Sequence, residues 1–522
     1  MKSSDDGVST VSELESVSAS APSFDLEEVS ITGLQRLMTA GDITARSVTE
    51  QYLARIEMLD RRGPALHSVI QTNPDAVEIA QRLDEERERT GPRSPLHGVP
   101  ILLKDNIATG EAMPTTAGSL ALVGSTYPED AHIGRLLRQA GAVLLGKANM
   151  SEWANFRSSR SISGWSAMGG QCRNPYALDR SPSGSSSGPA AATAANLCAG
   201  AIGTETDGSI ISPAHSCGVV GVKPTVGLVS RTGIIPIAHS QDTAGPLART
   251  VQDAALLLSA IAGTDGSDRA TTRSPFGGGL AIRFREDGLS GKSLGVVRSG
   301  VFGLHRGVDA AFERALETLR ELGARLIDPV SVAVPSQYRQ NQVLLSEFKA
   351  DLEAYLVRTG PETSVRTLED VIAFNEERAD DEMRYFGQDV FLQALEAAPR
   401  LSREYRRARA SNRAIATDMD RAISSAAVDA LVAPTSTPVW LIDPINGDCA
   451  PSGSWSSSAV AGYPHITVPA GYVGGLPVGI SFFGPAWSER RLLAIAYAFE
   501  RVTQYRRPPR FALSAEDTGT AI

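Results

Sequence analysis

Lysine is the scarce basic residue of this chain. Of 50 basic residues in 522, six are lysines (Lys2, Lys104, Lys147, Lys223, Lys292 and Lys349) and the others are arginines. Cysteine is also rare, with Cys172, Cys198, Cys217 and Cys449 forming no CxxC pair. That leaves no dithiol redox motif and no thiolate metal site, and reads as the reduced thiols of a cytoplasmic protein. The seven histidines are scattered without an HExxH or comparable spacing, so neither a metal nor another cofactor is expected. No run of eighteen apolar residues exists, which excludes a hydrophobic spanning helix. A basic stripe is missing too: 59 acidic residues outweigh the 50 basic ones, so nucleic acid and anionic membranes are not expected partners. Residues 1–23 carry acids and serines where a signal peptide has a basic start and an apolar stretch. They are expected to form a disordered tail.

What is present is alternation. Apolar positions at helical spacing over 31–38 and 48–59, then a charged amphipathic stretch over 74–90, predict helices. Short apolar runs predict strands at 99–103, 142–145, 199–203, 219–222, 294–297 and 325–327. Helices are expected between them at 133–140, 190–197, 250–261 and 308–322. This is the pattern of an α/β protein with a large, mixed, mostly parallel sheet covered by helices on both faces. Residues 340–425 are charged and helical throughout, an excursion packed on the sheet or over its mouth. Strands return at 430–432, 466–468 and 479–482, and a final helix is expected over 489–502. One domain over 24–515 accounts for all of this.

Three segments carry chemistry. The first is the apolar run Gly98–Leu103 ending in Lys104-Asp105-Asn106. Arginine does not deprotonate in proteins, whereas a desolvated lysine loses its proton and serves as a base. The plain alternative is a lysine snorkelling from a strand end. The second is Ser183-Gly184-Ser185-Ser186-Ser187-Gly188, which matches GxSxG. The nucleophile elbow needs a buried strand immediately before it, and Asn174–Pro182 cannot supply one. Gly291-Lys292-Ser293 fails as a phosphate-binding loop, because Glu286 stands where glycine is required. The third is Gly203-Thr204-Glu205-Thr206-Asp207-Gly208-Ser209-Ile210. Such a turn aims the N–H groups of Thr206, Asp207, Gly208 and Ser209 at one developing oxyanion, while the Ser209 hydroxyl attacks. A glycine turn with a capping serine is the alternative.

These stretches resemble the amidase signature family. The likeness extends to Gly218–Thr225, Asp242–Arg249, Asp429–Thr435, Ala461–Pro464 and Val468–Gly471, and covers about residues 28 to 510. Gly146-Lys147-Ala148-Asn149-Met150-Ser151-Glu152-Trp153 and the serine-rich loop are most similar to the peptide amidase branch. The resemblance implies a triad. Ser209 is its nucleophile, Ser185 the bridging serine on a cis peptide bond and Lys104 the base, with Thr206 to Ser209 as oxyanion loop. It implies a hydrolase that cleaves a linear carboxamide, with a peptide C-terminal amide as first choice, to carboxylate and ammonia through a Ser209 acyl-enzyme. Burial has to bring the lysine from about 10.4 towards 7–8 for this to work at neutral pH. A monomer or homodimer acting on a small-molecule or peptide amide is expected. The alternatives are the amide-hydrolysing subunit of a tRNA-dependent amidotransferase and a non-catalytic binding protein of the same fold.

The sequence departs from the family pattern at Ser183, Ser187, Pro189, Glu205, Asp207 and Ile211, none of them a proposed triad position. Ile211 stands where many members have arginine, which disfavours an acidic substrate held there. Asp242 reads as a structural carboxylate accepting backbone hydrogen bonds. Lys147 and Lys223 read as loop-ordering cations and His215 as packing rather than half of a Ser–His dyad. Trp440, Trp455 and Trp487 are equally suited to a substrate tunnel, the core or the surface.

Overall fold

The apolar runs form strands whose burial differs from that of surface strands. The computed structural model describes residues 24–518 apart from 111–112, 278, 283, 285–286 and 450–452; the expected tail at 1–23 lies outside the described residues. The described residues form thirteen strands: β1 (Val69–Thr72), β2 (Pro100–Lys104), β3 (Val143–Ala148), β4 (Trp165–Ser166), β5 (Gly170–Gln171), β6 (Gly200–Glu205), β7 (Val220–Lys223), β8 (Thr243–Ala248), β9 (Ser293–Val296), β10 (Arg325–Ile327), β11 (Ala430–Pro434), β12 (His465–Val473) and β13 (Leu476–Phe483). Eleven of them make one sheet in the order β1-β3-β2-β6-β8-β7-β12-β13-β11-β9-β10, and β4 pairs with β5 apart from it. Every residue of β2, β3, β6, β7, β8, β11 and β13 is buried, so helices cover both faces of the sheet.

The sheet is mixed, and its parallel pairing gathers in two blocks. These are β3-β2-β6 and β11-β9-β10, where helical crossovers bring successive strands back in the same direction. Between them β6-β8-β7-β12-β13-β11 pair antiparallel, so the expected parallel character stops at the flanks. One physical reason is the two-residue turn Gly474-Gly475, with φ of +54° and +74°, which folds β12 onto β13 as a hairpin.

Between β10 and β11 the chain is mainly helical. The principal helices there are Gln337–Leu356, Leu368–Glu377, Asp389–Glu396 and Arg403–Ser425. Ser336, Thr367 and Ser402 start three of these helices by accepting the N–H three residues on. The parallel pairing of β2 with β6 sets Leu103 against Ile202, which brings the carboxyl ends of both strands, Lys104 and Thr204-Glu205, side by side. Crevices at the carboxyl ends of parallel strands are where α/β sheets bind ligands.

Candidate active site

Lys104 is the last residue of an otherwise apolar strand and is fully buried. Its Nζ lies 2.7 Å from Ser185 Oγ, 2.9 Å from Thr204 Oγ1 and 3.2 Å from the Thr204 carbonyl. Asn106 Nδ2 donates to the same Thr204 hydroxyl at 2.9 Å, fixing it in place. Among the described residues no carboxylate stands within ion-pair distance of this amine. Burial therefore dominates and lowers its pKa to about 7, against the weaker pull of Glu205 and Asp242.

Ser185 is held by a loop with little freedom. The Gly184–Ser185 peptide is cis, and Ser183 before it sits at φ +62°. A Cβ on Gly184 would fall 2.2 Å from Ser151 Oγ, so only glycine fits there. The Ser185 carbonyl accepts from the Ser151 N–H at 3.1 Å. Ser186 Oγ donates to the Thr204 carbonyl at 3.0 Å and accepts the Thr204 N–H at 3.2 Å, fastening the loop to β6. The Ser186 N–H in turn donates to the Ser209 carbonyl at 3.1 Å, and this bond draws the two serine loops together.

Ser209 occupies the turn between β6 and the helix Ile211–Ser216. Glu205 organises that turn, because its Oε2 accepts the N–H groups of Ile210 and Ile211 at 2.8 and 3.0 Å. Gly208 has φ +81°, and a Cβ there would strike the Trp455 indole at 2.4 Å. The N–H groups of Asp207, Gly208 and Ser209 donate to nothing among the described residues. Free donors on consecutive residues of a tight turn are what an oxyanion requires. Thr206 is fixed behind them, its hydroxyl donating to Asp242 Oδ1 at 2.5 Å and its carbonyl accepting from Gln241 at 3.2 Å. Ser209, Gly208, Asp207 and Gly184 open on a cavity of about 650 Å3. Its far walls come from Asn155 to Ser163, Gln337 to Leu345, Trp440, Asp448, Trp455 and Ser456.

A family model described as Amidase matches residues 47–493. The chain belongs to the amidase family. It is an amide-hydrolysing enzyme. A probable amidase of Arabidopsis thaliana is 42% identical over 94% of this chain and 92% of its own length. One subunit of the glutamyl-tRNA(Gln) amidotransferase of Symbiobacterium thermophilum is 36% identical over 91% of this chain and 97% of that one. Among solved structures, a peptide amidase in complex with the competitive inhibitor chymostatin is 49% identical, with a TM-score of 0.89 over 93% of this chain and 100% of that one. The native peptide amidase of Stenotrophomonas maltophilia superposes with a TM-score of 0.87 over 93% and 99%, also at 49% identity.

The remaining residues singled out in this amidase have legible places. Asp242 accepts the N–H groups of Ile237 and Ala238, each at 2.8 Å, besides the Thr206 hydroxyl. His215 does not reach the serine loops through its ring nitrogens. Nδ1 accepts the Gly479 N–H at 2.9 Å and Nε2 lies 3.1 Å from the Thr437 carbonyl. Burial keeps that ring neutral, with its pKa lowered to about 4. Lys147 donates to the Ile107 carbonyl and Thr115 hydroxyl, and Lys223 to the Pro224 carbonyl. Both order loops, although burial lowers each to about 8. Trp440 and Trp455 line the cavity, whereas Trp487 packs against the core.

Sequence reasoning assigns no role to Thr204, Asn106 or Ser186, although they set the geometry of Lys104 and Ser185. Thr204 sits inside a recognisable motif, so its neighbourhood offers the signal. Gln340, which reaches Asp207 from 133 residues away, offers none. One further cluster, His239, Glu347 and Asp351, brings three ligand-type atoms within 4.8 Å of one another. Arg400 pairs with Asp351 at 2.8 Å and Arg409 lies 3.8 Å from Glu347, so the carboxylates already have cations. It is an ion-pair knot rather than a metal centre.

Proposed function

We propose that this amidase hydrolyses the C-terminal amide of a peptide or a similar linear carboxamide, giving carboxylate and ammonia through an acyl-enzyme on Ser209. The observation that carries the reading is a buried lysine without an acidic partner, 2.7 Å from Ser185 Oγ. The Thr204 carbonyl is an obligate acceptor and takes one Lys104 N–H. The Thr204 hydroxyl takes a second. A neutral amine then has one lone pair left, and Ser185 is the group in front of it.

Ser185 hands its proton to Lys104 and takes the proton of Ser209, whose oxygen forms the bond to the substrate carbonyl carbon. The N–H groups of the 206–209 loop hold the resulting oxyanion. The relay then runs backwards and protonates the departing nitrogen, which leaves as ammonia as the C–N bond breaks. A water molecule loses its proton along the same path, attacks the ester and releases the carboxylate with Ser209 restored.

Two peptide amidase structures at 49% identity and a cavity roomy enough for several residues support a peptidyl substrate. Four unpaired cysteines, three of them buried, fit a reducing cytoplasmic location. We take the chain to act as a monomer or homodimer rather than within an amidotransferase complex. The test is ammonia release from N-acylated amino-acid amides by the purified chain, alongside labelling by a fluorophosphonate. Both should vanish in Ser209→Ala; turnover that persists in that variant overturns the assignment.

A further inference from the structure

The mechanism above uses the backbone of Asp207 and leaves its side chain unexplained. That carboxylate is partly exposed, and it lines the cavity two residues from Ser209. Its Oδ2 accepts from Gln340 Nε2 at 2.5 Å and its Oδ1 from Ser456 Oγ at 3.0 Å. Both donors are neutral, and they come from two different helices, Gln337–Leu356 and Ser456–Ala461. No lysine or arginine pairs with Asp207 among the described residues. Burial raises its pKa to about 6, so it is ionised in the range where Lys104 is neutral.

An ionised carboxylate has about four acceptor positions. Two neutral donors leave it short of partners, and a shielded anion without a cation is costly unless more donors arrive. Only the cavity side can supply them. A substrate whose carbonyl carbon lies at Ser209 and whose oxygen lies in the 206–209 loop carries its α-substituents along this same wall. We propose that the Asp207 carboxylate accepts a hydrogen bond from the N–H on the α-nitrogen of the acyl group. This makes Asp207 the residue that selects amino-acid and peptidyl amides over carboxamides without an α-nitrogen. The proposal rests on the reading that the cavity takes peptidyl amides.

Three substrates that share the 3-phenylpropanamide skeleton test it: N-acetylphenylalaninamide, phenylalaninamide and 3-phenylpropanamide. The quantity to read is the ratio of kcat/KM for each of the first two to that for the third. The wild-type ratio should exceed one for at least one of the pair. It should fall at least ~10-fold in Asp207→Ala, because a site built to bond an N–H otherwise rejects the analogue lacking it. Gln340→Leu, which removes one of the groups aiming the carboxylate, should lower the same ratio by a smaller factor. A response with the acetylated compound assigns an amide N–H, and one with phenylalaninamide assigns an ammonium; either supports the proposal. Loss of activity on all three substrates in parallel, with the ratios unchanged in both variants, overturns it. Calorimetric binding of the same compounds to Ser209→Ala, with and without Asp207→Ala, separates this from the catalytic reading. If the wild-type chain releases no ammonia, the hydrolytic assignment fails. An Asp207-dependent preference in binding would still sustain the role of Asp207, and its absence would end it.

Discussion

At the scale of single residues, the scarcity of lysine narrows the search but does not finish it. Lys104, Lys147 and Lys223 are all fully buried and all lowered by burial. What separates them is the partner. Lys147 faces a carbonyl, a hydroxyl and Asp105 at 4.0 Å, and Lys223 faces a carbonyl, whereas Lys104 faces a serine on a fixed loop. No spacing in the sequence encodes that difference. Lys104→Arg should fold and show turnover reduced by at least ~1000-fold, since a guanidinium has no proton to give up at working pH. Ammonia assays on a variant with wild-type circular dichroism decide it. On the proposed mechanism the active form is the neutral amine, so kcat/KM should rise with pH through about 7 and level off above it. A profile that falls from pH 6 to 9 contradicts the base role. Stability gives an independent reading with a fixed sign. The native pKa of Lys104 lies below its unfolded value, so the unfolded chain binds more protons between about 7 and 10.5. The burden of burying the charge is thus complete below 7 and gone above 10.5. Lys104→Met should therefore melt above wild type at pH 6, with the gap closing towards pH 10.

At the scale of elements, the predicted segments agree best where periodicity is strong. The strand at 325–327 and the helices at 250–261, 308–322 and 489–502 are observed within about two residues of their expected ends. β8 does not read as a strand, because its sequence TAGPLA contains a glycine and a proline that strands avoid. The fold tolerates both. The ladder to β7 ends at Leu247, beside Pro246, and Gly245 leaves room for the Val222 carbonyl, which a Cβ would meet at 2.0 Å. How the helical excursion is fastened is likewise invisible in the sequence, since its partners lie far outside it and Arg157 is the buried cation among them. Arg157, fully buried, pairs with Glu152 at 2.7 Å and donates to the carbonyls of Glu382, Phe386 and Gly387. Its guanidinium also lies 4.2 Å from the centroid of the Phe386 ring. Burial holds the Glu152 carboxyl well above its ordinary range, and Arg157 is the charge that opposes this. Arg157→Met should cost about 3–5 kcal/mol, the usual penalty for stripping one partner from a buried pair. Chemical denaturation measures the loss, and limited proteolysis should show new cleavage between residues 378 and 402. A variant of wild-type stability and protease resistance would show that the anchor lies elsewhere.

At the scale of the whole molecule, the α/β class is legible in the sequence and the strand order is not. Order depends on which distant strands pair, as when β8 inserts between β6 and β7, and pairing between remote segments leaves little trace in any one of them. The motifs of the proposed triad are legible because each is a contiguous segment. The cavity is not, because it is assembled from segments near 155–163, 337–345, 440–448 and 455–456 that meet only in the folded chain. That assembly has a consequence for how the enzyme works alone. The proposed base, relay, nucleophile and oxyanion donors lie with the cavity walls on one polypeptide, so the proposed site draws on no second chain. The purified chain should release ammonia with a specific activity that stays constant within twofold from about 10 µM down to about 10 nM. Over that range the occupancy of an ordinary transient dimer falls away by mass action. Gel filtration at the upper concentration identifies the starting species. Activity that collapses on dilution, or that appears only when an amidotransferase partner is added, would mean that a surface outside this cavity completes the site.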